Sequence, residues 1–288
     1  MEQKNLYILN NFFFFLAYIP ILILTFLNTS MLGQEISSSY FNVALVAAIL
    51  MVAYKIFFLD NLAIQDYLFY FLISIATAIA YHYSGNSTLI ILVIFLLGSK
   101  NVNKKWLATT YLIISSLLLL FVYYLTTIGR IPDLTYIRGT TIRHSFGIIY
   151  PTDFASHIFY CCCAYIFLRG RKYNVFDLSL LLGISWFVYS TTDARLNSLI
   201  ILMLAFGRIL VRYKWVCKIL RNIWSVPILG FLFSFVATFF YNPSNGVLNL
   251  LNNFFSGRLS IVKGILNEYG LTFFGQKIVE HGWGGKWH

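Results

Sequence analysis

About nine apolar runs follow one another along the chain, near Leu6–Leu27, Phe41–Leu59, Tyr67–Tyr83, Ser87–Gly98, Trp106–Thr126, Asp153–Leu168, Val175–Ser190, Leu196–Leu210 and Ser225–Tyr241. A helix needs about 20 apolar residues, with roughly 17 as a lower limit, to cross the hydrocarbon of a bilayer. Only a structure that satisfies its own backbone hydrogen bonds persists there, and helices do so within one segment. The composition agrees: 59% of the residues are hydrophobic and 11% charged, against about 25% charged in a soluble domain. The chain therefore reads as an all-α, polytopic integral membrane protein with about nine transmembrane helices. The first run is too long for a signal-peptide core and no small-residue cleavage site follows it, so it reads as an uncleaved span. The fourth is short, which implies a tilted, extended or re-entrant segment.

A net charge of +11 raises the question of nucleic acid. The basic residues, however, are scattered through short loops between apolar runs, a pattern that sets membrane orientation. With the N-terminus inside and the spans alternating, the loops SKNVNKKW, RGRKYN and GRILVRYKWVCKILRN fall inside, and NTSMLGQEISSSY and YHYSGNST, which hold no lysine or arginine, fall outside. The exceptions are the outer residues Arg130, Arg138, Arg143, Arg195, Arg258, Lys263, Lys277 and Lys286. They concentrate in the loop after the fifth span, in the turn Thr191–Asn197, and in the segment after Tyr241. Residues 1–241 thus form a transmembrane helical domain and 242–288 an extracytoplasmic tail.

The first outer segment is RGTTIRHSFGIIYPTDFASH. Pro151-Thr152-Asp153 reads as a helix start with Thr152 or Asp153 as N-cap. Arg143 and His144 just precede it, so guanidinium, imidazole and the positive helix end together suit an anion. Arg138 adds a second cation, although an arginine here can also reach lipid headgroups. Asp153 and His157 are four apart and share a helix face, the spacing of a proton-transfer pair. In the second segment, TTDARLN, Asp193 and Arg195 share a tight turn. They either neutralise one another or form a functional ionic site at the membrane edge. In the third, Leu259, Val262, Leu266 and Tyr269 recur at spacings of three and four, which predicts a short amphipathic helix over 258–269 with Arg258 in its first turn, Glu268 near its end and Gly270 as its C-cap.

Phosphate-binding loops, nucleophile elbows, zinc-helix motifs and dinucleotide fingerprints are all missing from the sequence. No inner loop supplies the acidic cluster of a metal site. The four cysteines include a consecutive trio, Cys161–Cys163, inside an apolar run and no C-x-x-C pair, so they read as small apolar side chains. The chemistry expected of the chain is metal-free, without a cofactor, outward-facing and built on arginines.

The pieces IRHSFGIIYPTDFASH, STTDARLNSL and FFSGRLSIVKGILNEYGLTFFGQKI, in this order, resemble bacterial polysaccharide polymerases of the Wzy type, in the O-antigen ligase-like membrane family. The resemblance covers roughly the second half of the chain. It implies a GT-C-like glycosyltransferase that joins oligosaccharide repeat units carried on undecaprenyl pyrophosphate, at the outer face of the bacterial cytoplasmic membrane, into capsular, exo- or O-antigen polysaccharide. By the same resemblance Arg143, Arg195 and Arg258 engage the pyrophosphate or the sugars, with Arg138, His144, Asp193, Glu268, Gln276 and His281 around the substrate. Asp153, His157, Asp193, Glu268 and His281 are all candidates to accept the proton of the acceptor hydroxyl. Implied partners are the lipid-linked oligosaccharide, membrane lipid, and the flippase and chain-length regulator of the same pathway, with no nucleic acid. Family members continue past the FGQ-I segment into further spans, so a chain ending at His288 is expected to be a C-terminally truncated copy. A flippase for lipid-linked oligosaccharide, or an inactive membrane subunit, are the competing readings.

Overall fold

The fold is taken from a computed structural model, which describes residues 2–211, 213–221, 223, 225–255 and 257–279, with the side chains of residues 2–4 and of Ile219 excepted. The chain is mostly helical, with twelve α-helices and one two-stranded hairpin among the described residues. Five helices are long and apolar enough to cross a membrane. These are α1 (Glu2–Asn28), α2 (Ser38–Tyr54, continued by one π-helical turn to Leu59), α3 (Ile64–Ser84), α5 (Lys104–Thr127) and α7 (Val175–Thr192). The other four expected runs are also helical: α4 (Thr88–Gly98), α6 (Pro151–Arg169), α8 (Arg195–Leu210) and α10 (Ser225–Phe239). With 11 residues, α4 extends about 16 Å at 1.5 Å per residue, short of a hydrocarbon core about 30 Å thick. The remaining helices are α9 (Lys214–Arg221), α11 (Gly246–Phe254) and α12 (Arg258–Tyr269).

The residues divide into two compact units, 1–73 with 91–210 and 74–90 with 211–288. In the first, α6, α7 and α8 share a core of Ala155, Cys162, Leu181, Val188, Ile201 and Ala205. Ser185 and Ser198 bond one another inside it, Oγ to Oγ at 2.8 Å. The chain turns from α6 into α7 through a capping box, in which the Asn174 side chain accepts from Asp177 N–H and the Asp177 carboxylate accepts from Asn174 N–H. Arg169 grips the same carboxylate with Nε and Nη2, at 2.8 and 3.0 Å. This two-pronged pairing fixes the exit of α6 against the start of α7.

The loop between α5 and α6 folds as a hairpin, β1 (Thr135–Arg138) against β2 (Thr141–His144), with Tyr136 opposite Arg143 and Arg138 opposite Thr141. The turn is Gly139-Thr140, and only the glycine has a positive φ, +60°. Gly-X in this arrangement matches the type II′ turn that suits the twist of paired strands. The segment after β2 is pinned to the end of α1. Met31 N–H donates to Gly147 O and Ile149 N–H to Thr29 O, each at 2.9 Å. Ile148, fully buried, joins Phe26, Met31, Val122, Ile131 and Phe154 in a second core.

The start of α6 differs from the expected one. Tyr150, extended at φ −122° and ψ 141°, is the N-cap, Pro151 opens the helix, and Thr152 and Asp153 lie inside it. Proline has its φ preset for a first helical turn and pushes the residue before it out of the helical region, so the boundary falls one residue earlier than a Thr or Asp cap would put it.

In the second unit, α12 has the predicted bounds. Its Leu259 packs with Ala237 and Tyr241 at the end of α10, and with Leu248 and Leu251 of α11. Asn252 ties the pieces together, donating to Tyr241 Oη at 3.1 Å and accepting from Ser260 N–H at 3.0 Å.

Candidate functional site: an arginine cluster around Asp193

The hairpin and the start of α8 bring three arginines to the end of α7, two of them to the Asp193 carboxylate. Asp193 ends α7 in the left-handed conformation, φ +44° and ψ 33°, a region where Asp and Asn are the commonest non-glycine residues. Its side chain is only 6% exposed. Arg195 donates from Nε to Asp193 Oδ1 at 3.0 Å. Arg138 places Nη1 3.5 Å from Asp193 Oδ2 and 3.4 Å from its carbonyl oxygen. Arg143 donates from Nε to the carbonyl of Thr192 at 2.7 Å. Its Nη2 is buried and has no hydrogen-bond partner.

Two guanidiniums thus contact the Asp193 carboxylate, and a third, that of Arg143, is bound to the carbonyl of the preceding residue. The pKa of Arg143 is lowered by burial first and by Arg138 next, with Asp193 acting in the opposite direction. An arginine stays charged under such pressure, so the cluster keeps a positive excess. A buried guanidinium nitrogen without an acceptor is costly, and a phosphate oxygen is the kind of group that satisfies it.

Tyr136, opposite Arg143 across the hairpin, donates its hydroxyl to Ile149 O at 2.8 Å and lies 5.7 Å from the Tyr150 ring. Its phenol is pushed up by burial, by Tyr150 and by Asp153, so it stays protonated. Asp153, in the first turn of α6, is therefore within electrostatic reach of Tyr136. Asn197, in the first turn of α8, donates to Thr152 O at 3.1 Å and Ser156 Oγ at 3.0 Å. That bond brings the starts of α6 and α8 together.

Two expected members of the site are engaged elsewhere. His144 Nδ1 lies 2.7 Å from Asp133 Oδ2, and the other Asp133 oxygen accepts from the N–H groups of Ser145 and Phe146 at 3.0 and 2.7 Å. His144 is thus part of the brace that shapes the turn into Gly147. His157 Nε2 is 2.8 Å from Thr29 Oγ1, with its ring 4.4 Å from that of Phe26. It bonds α6 to α1.

Arg258, Glu268 and Gln276 belong to the second unit. Arg258 and Glu268 are exposed and form no ion pair among the described residues. Gln276 Nε2 donates to Tyr269 O at 2.8 Å and Gly270 O at 3.3 Å, which closes the end of α12. His281 lies outside the described residues. Tyr136, Asp133, Thr192 and Asn197 were not singled out from the sequence. The hairpin signal, β-branched residues flanking Gly139-Thr140, would have placed Tyr136 beside Arg143. Among the described residues no group of three or more His, Cys, Asp or Glu side chains is arranged to hold a metal ion. Comparison with protein-family models, with curated proteins and with solved structures finds no match to this chain.

Proposed function

We propose that the arginine cluster binds the pyrophosphate of a lipid-linked oligosaccharide, and that the chain is a membrane glycosyltransferase polymerising such units at the outer face of the bacterial cytoplasmic membrane. The observation that carries this reading is the convergence of Arg138 and Arg195 on Asp193 and of Arg143 on the neighbouring Thr192 carbonyl, with one nitrogen of Arg143 buried and unpartnered. The charge balance of the loops supports an inner N-terminus, about nine passages through the bilayer and an outer position for the hairpin and for α12, and the resemblance implies a GT-C-like arrangement.

In this reading the acceptor hydroxyl attacks the anomeric carbon of the donor sugar. The bond from that carbon to the pyrophosphate oxygen breaks, and the lipid pyrophosphate departs with the electron pair. Charge grows on the leaving oxygens as the bond opens, so fixed guanidiniums stabilise the transition state more than the bound donor. In this reading Asp153, at the start of α6, is one candidate to take the hydroxyl proton.

The test is deletion of the gene in its host, followed by complementation with this chain and with Arg143→Ala, read as glycan length on a gel. Long chains restored by the unaltered chain and lost with Arg143→Ala are expected. Unchanged long chains in the deletion strain, with redundancy excluded, would overturn the polymerase reading. They would favour a flippase or a membrane subunit.

A further inference from the structure

The short helix α9, KWVCKILR, has a basic side and an apolar side. Lys214, Lys218 and Arg221 are spaced by four and three, so they share one face. At about 100° per residue, Trp215, Val216 and Leu220 are centred on the opposite face. Trp215 is 62% exposed and Leu220 39%, so the described residues leave that apolar face largely uncovered. An isolated helix shorter than about 12–15 residues is marginal in water, and α9 has only eight. Something outside the described residues must therefore pack against the apolar face to hold the helix.

The basic face is uncompensated as well. No Asp or Glu occurs between Asp193 and Glu268. Lys214, Lys218 and Arg221 are exposed and form no ion pair among the described residues. Short linkers tether both ends of α9 to helices that are proposed to cross the bilayer, α8 ending at Leu210 and α10 starting at Ser225.

A membrane surface meets both needs at once. The apolar face sinks to the acyl boundary while the basic face meets the headgroups, and tryptophan is a residue that settles at this depth. Neutral headgroups would cover the apolar face and leave the three cations unpaired, whereas anionic headgroups attract them. A nucleic acid or an acidic peptide would pair the cations and leave Trp215 and Leu220 in water.

We propose that α9 lies in the membrane interface and binds anionic phospholipid through Lys214, Lys218 and Arg221. The site shares no residue with the arginine cluster. It rests on the membrane reading of the chain and not on polymerase activity.

The test is amide hydrogen exchange of the full chain in nanodiscs of phosphatidylcholine alone, and of phosphatidylcholine and phosphatidylglycerol in equal parts. Exchange reports the free energy of local opening. A basic side chain near an anionic surface strengthens binding about fivefold, so peptides covering α9 are expected to exchange about tenfold or more slowly in the anionic discs. The difference should vanish at about 1 M salt, where the Debye length is about 3 Å. It should also vanish in the triple variant Lys214→Gln, Lys218→Gln, Arg221→Gln. Peptides from α5 serve as the folding control and should exchange alike in every sample. Equal exchange of α9 in the two discs, or a difference that survives the triple substitution or high salt, would overturn the proposal. Protection of α9 by heparin in phosphatidylcholine discs, with none from phosphatidylglycerol, would overturn it in favour of a soluble acidic partner.

Discussion

Asp193 accepts from Arg195 Nε at 3.0 Å while held in the left-handed backbone region, two residues before it. The same carboxylate stands 3.5 Å from Arg138. It therefore occupies the place where an anionic ligand would meet the arginines, and it competes with that ligand. Asp193→Asn removes the charge, keeps an acceptor, and tolerates the same φ. It is expected to tighten binding of inorganic pyrophosphate to the purified chain several-fold, measured by calorimetry. Unchanged or weaker binding would show that Asp193 organises the arginines instead of opposing the ligand.

Arg143→Lys asks whether charge alone suffices. Lysine keeps the cation but loses the fork that bonds Thr192 O with Nε while offering Nη2 to a second acceptor. The expected result is a protein that still folds, binds pyrophosphate about tenfold more weakly, a change of about 1.4 kcal/mol, and gives shortened glycans in the complementation assay. Wild-type affinity in the lysine variant would mean that the unpartnered nitrogen does not reach the ligand.

The helices could be read from the sequence because hydrophobic runs report directly on burial in lipid: all nine expected runs are helical, and α12 has the predicted bounds. What brings Arg138 to Asp193, 55 residues on, is the hairpin register and the pinning of Gly147 and Ile149 to α1. Neither follows from local pattern. The Asp193–Arg195 pair was visible because the two are neighbours in sequence. His157 was misleading for the opposite reason. Its spacing from Asp153 describes only one helix, and the side chain that engages it, Thr29, lies 128 residues away, just past the end of α1.

Gly147 carries the turn that sets the hairpin on α1. It has φ +81°, and a Cβ there would clash with Thr126 Oγ1 and lie 2.8 Å from Ile131 Cδ1. Gly129 has a similar φ of +72° with open space around it. Gly129→Ala is expected to cost about 1–2 kcal/mol from backbone strain alone. Gly147→Ala adds a steric clash to that strain. It should lower the thermal midpoint well beyond the Gly129 variant and weaken pyrophosphate binding as well. Equal losses for the two would mean that the clash is relieved by small shifts.

The buried Lys55–Asp60 pair makes a sharper stability prediction, because both side chains are wholly out of water. Removing one partner leaves a charge that is buried and uncompensated, a loss of about 3–5 kcal/mol, whereas replacing both by apolar residues of similar volume is often neutral or stabilising. Asp60→Ala is therefore expected to unfold far below the wild type, and Lys55→Met with Asp60→Leu close to it, in thermal scans of the purified chain. Asp60 also accepts from Asn101 Nδ2 at 3.0 Å. A double variant as unstable as Asp60→Ala would show that the Lys55 bond to Lys100 O, and not the ion pair, is what holds the 99–103 loop.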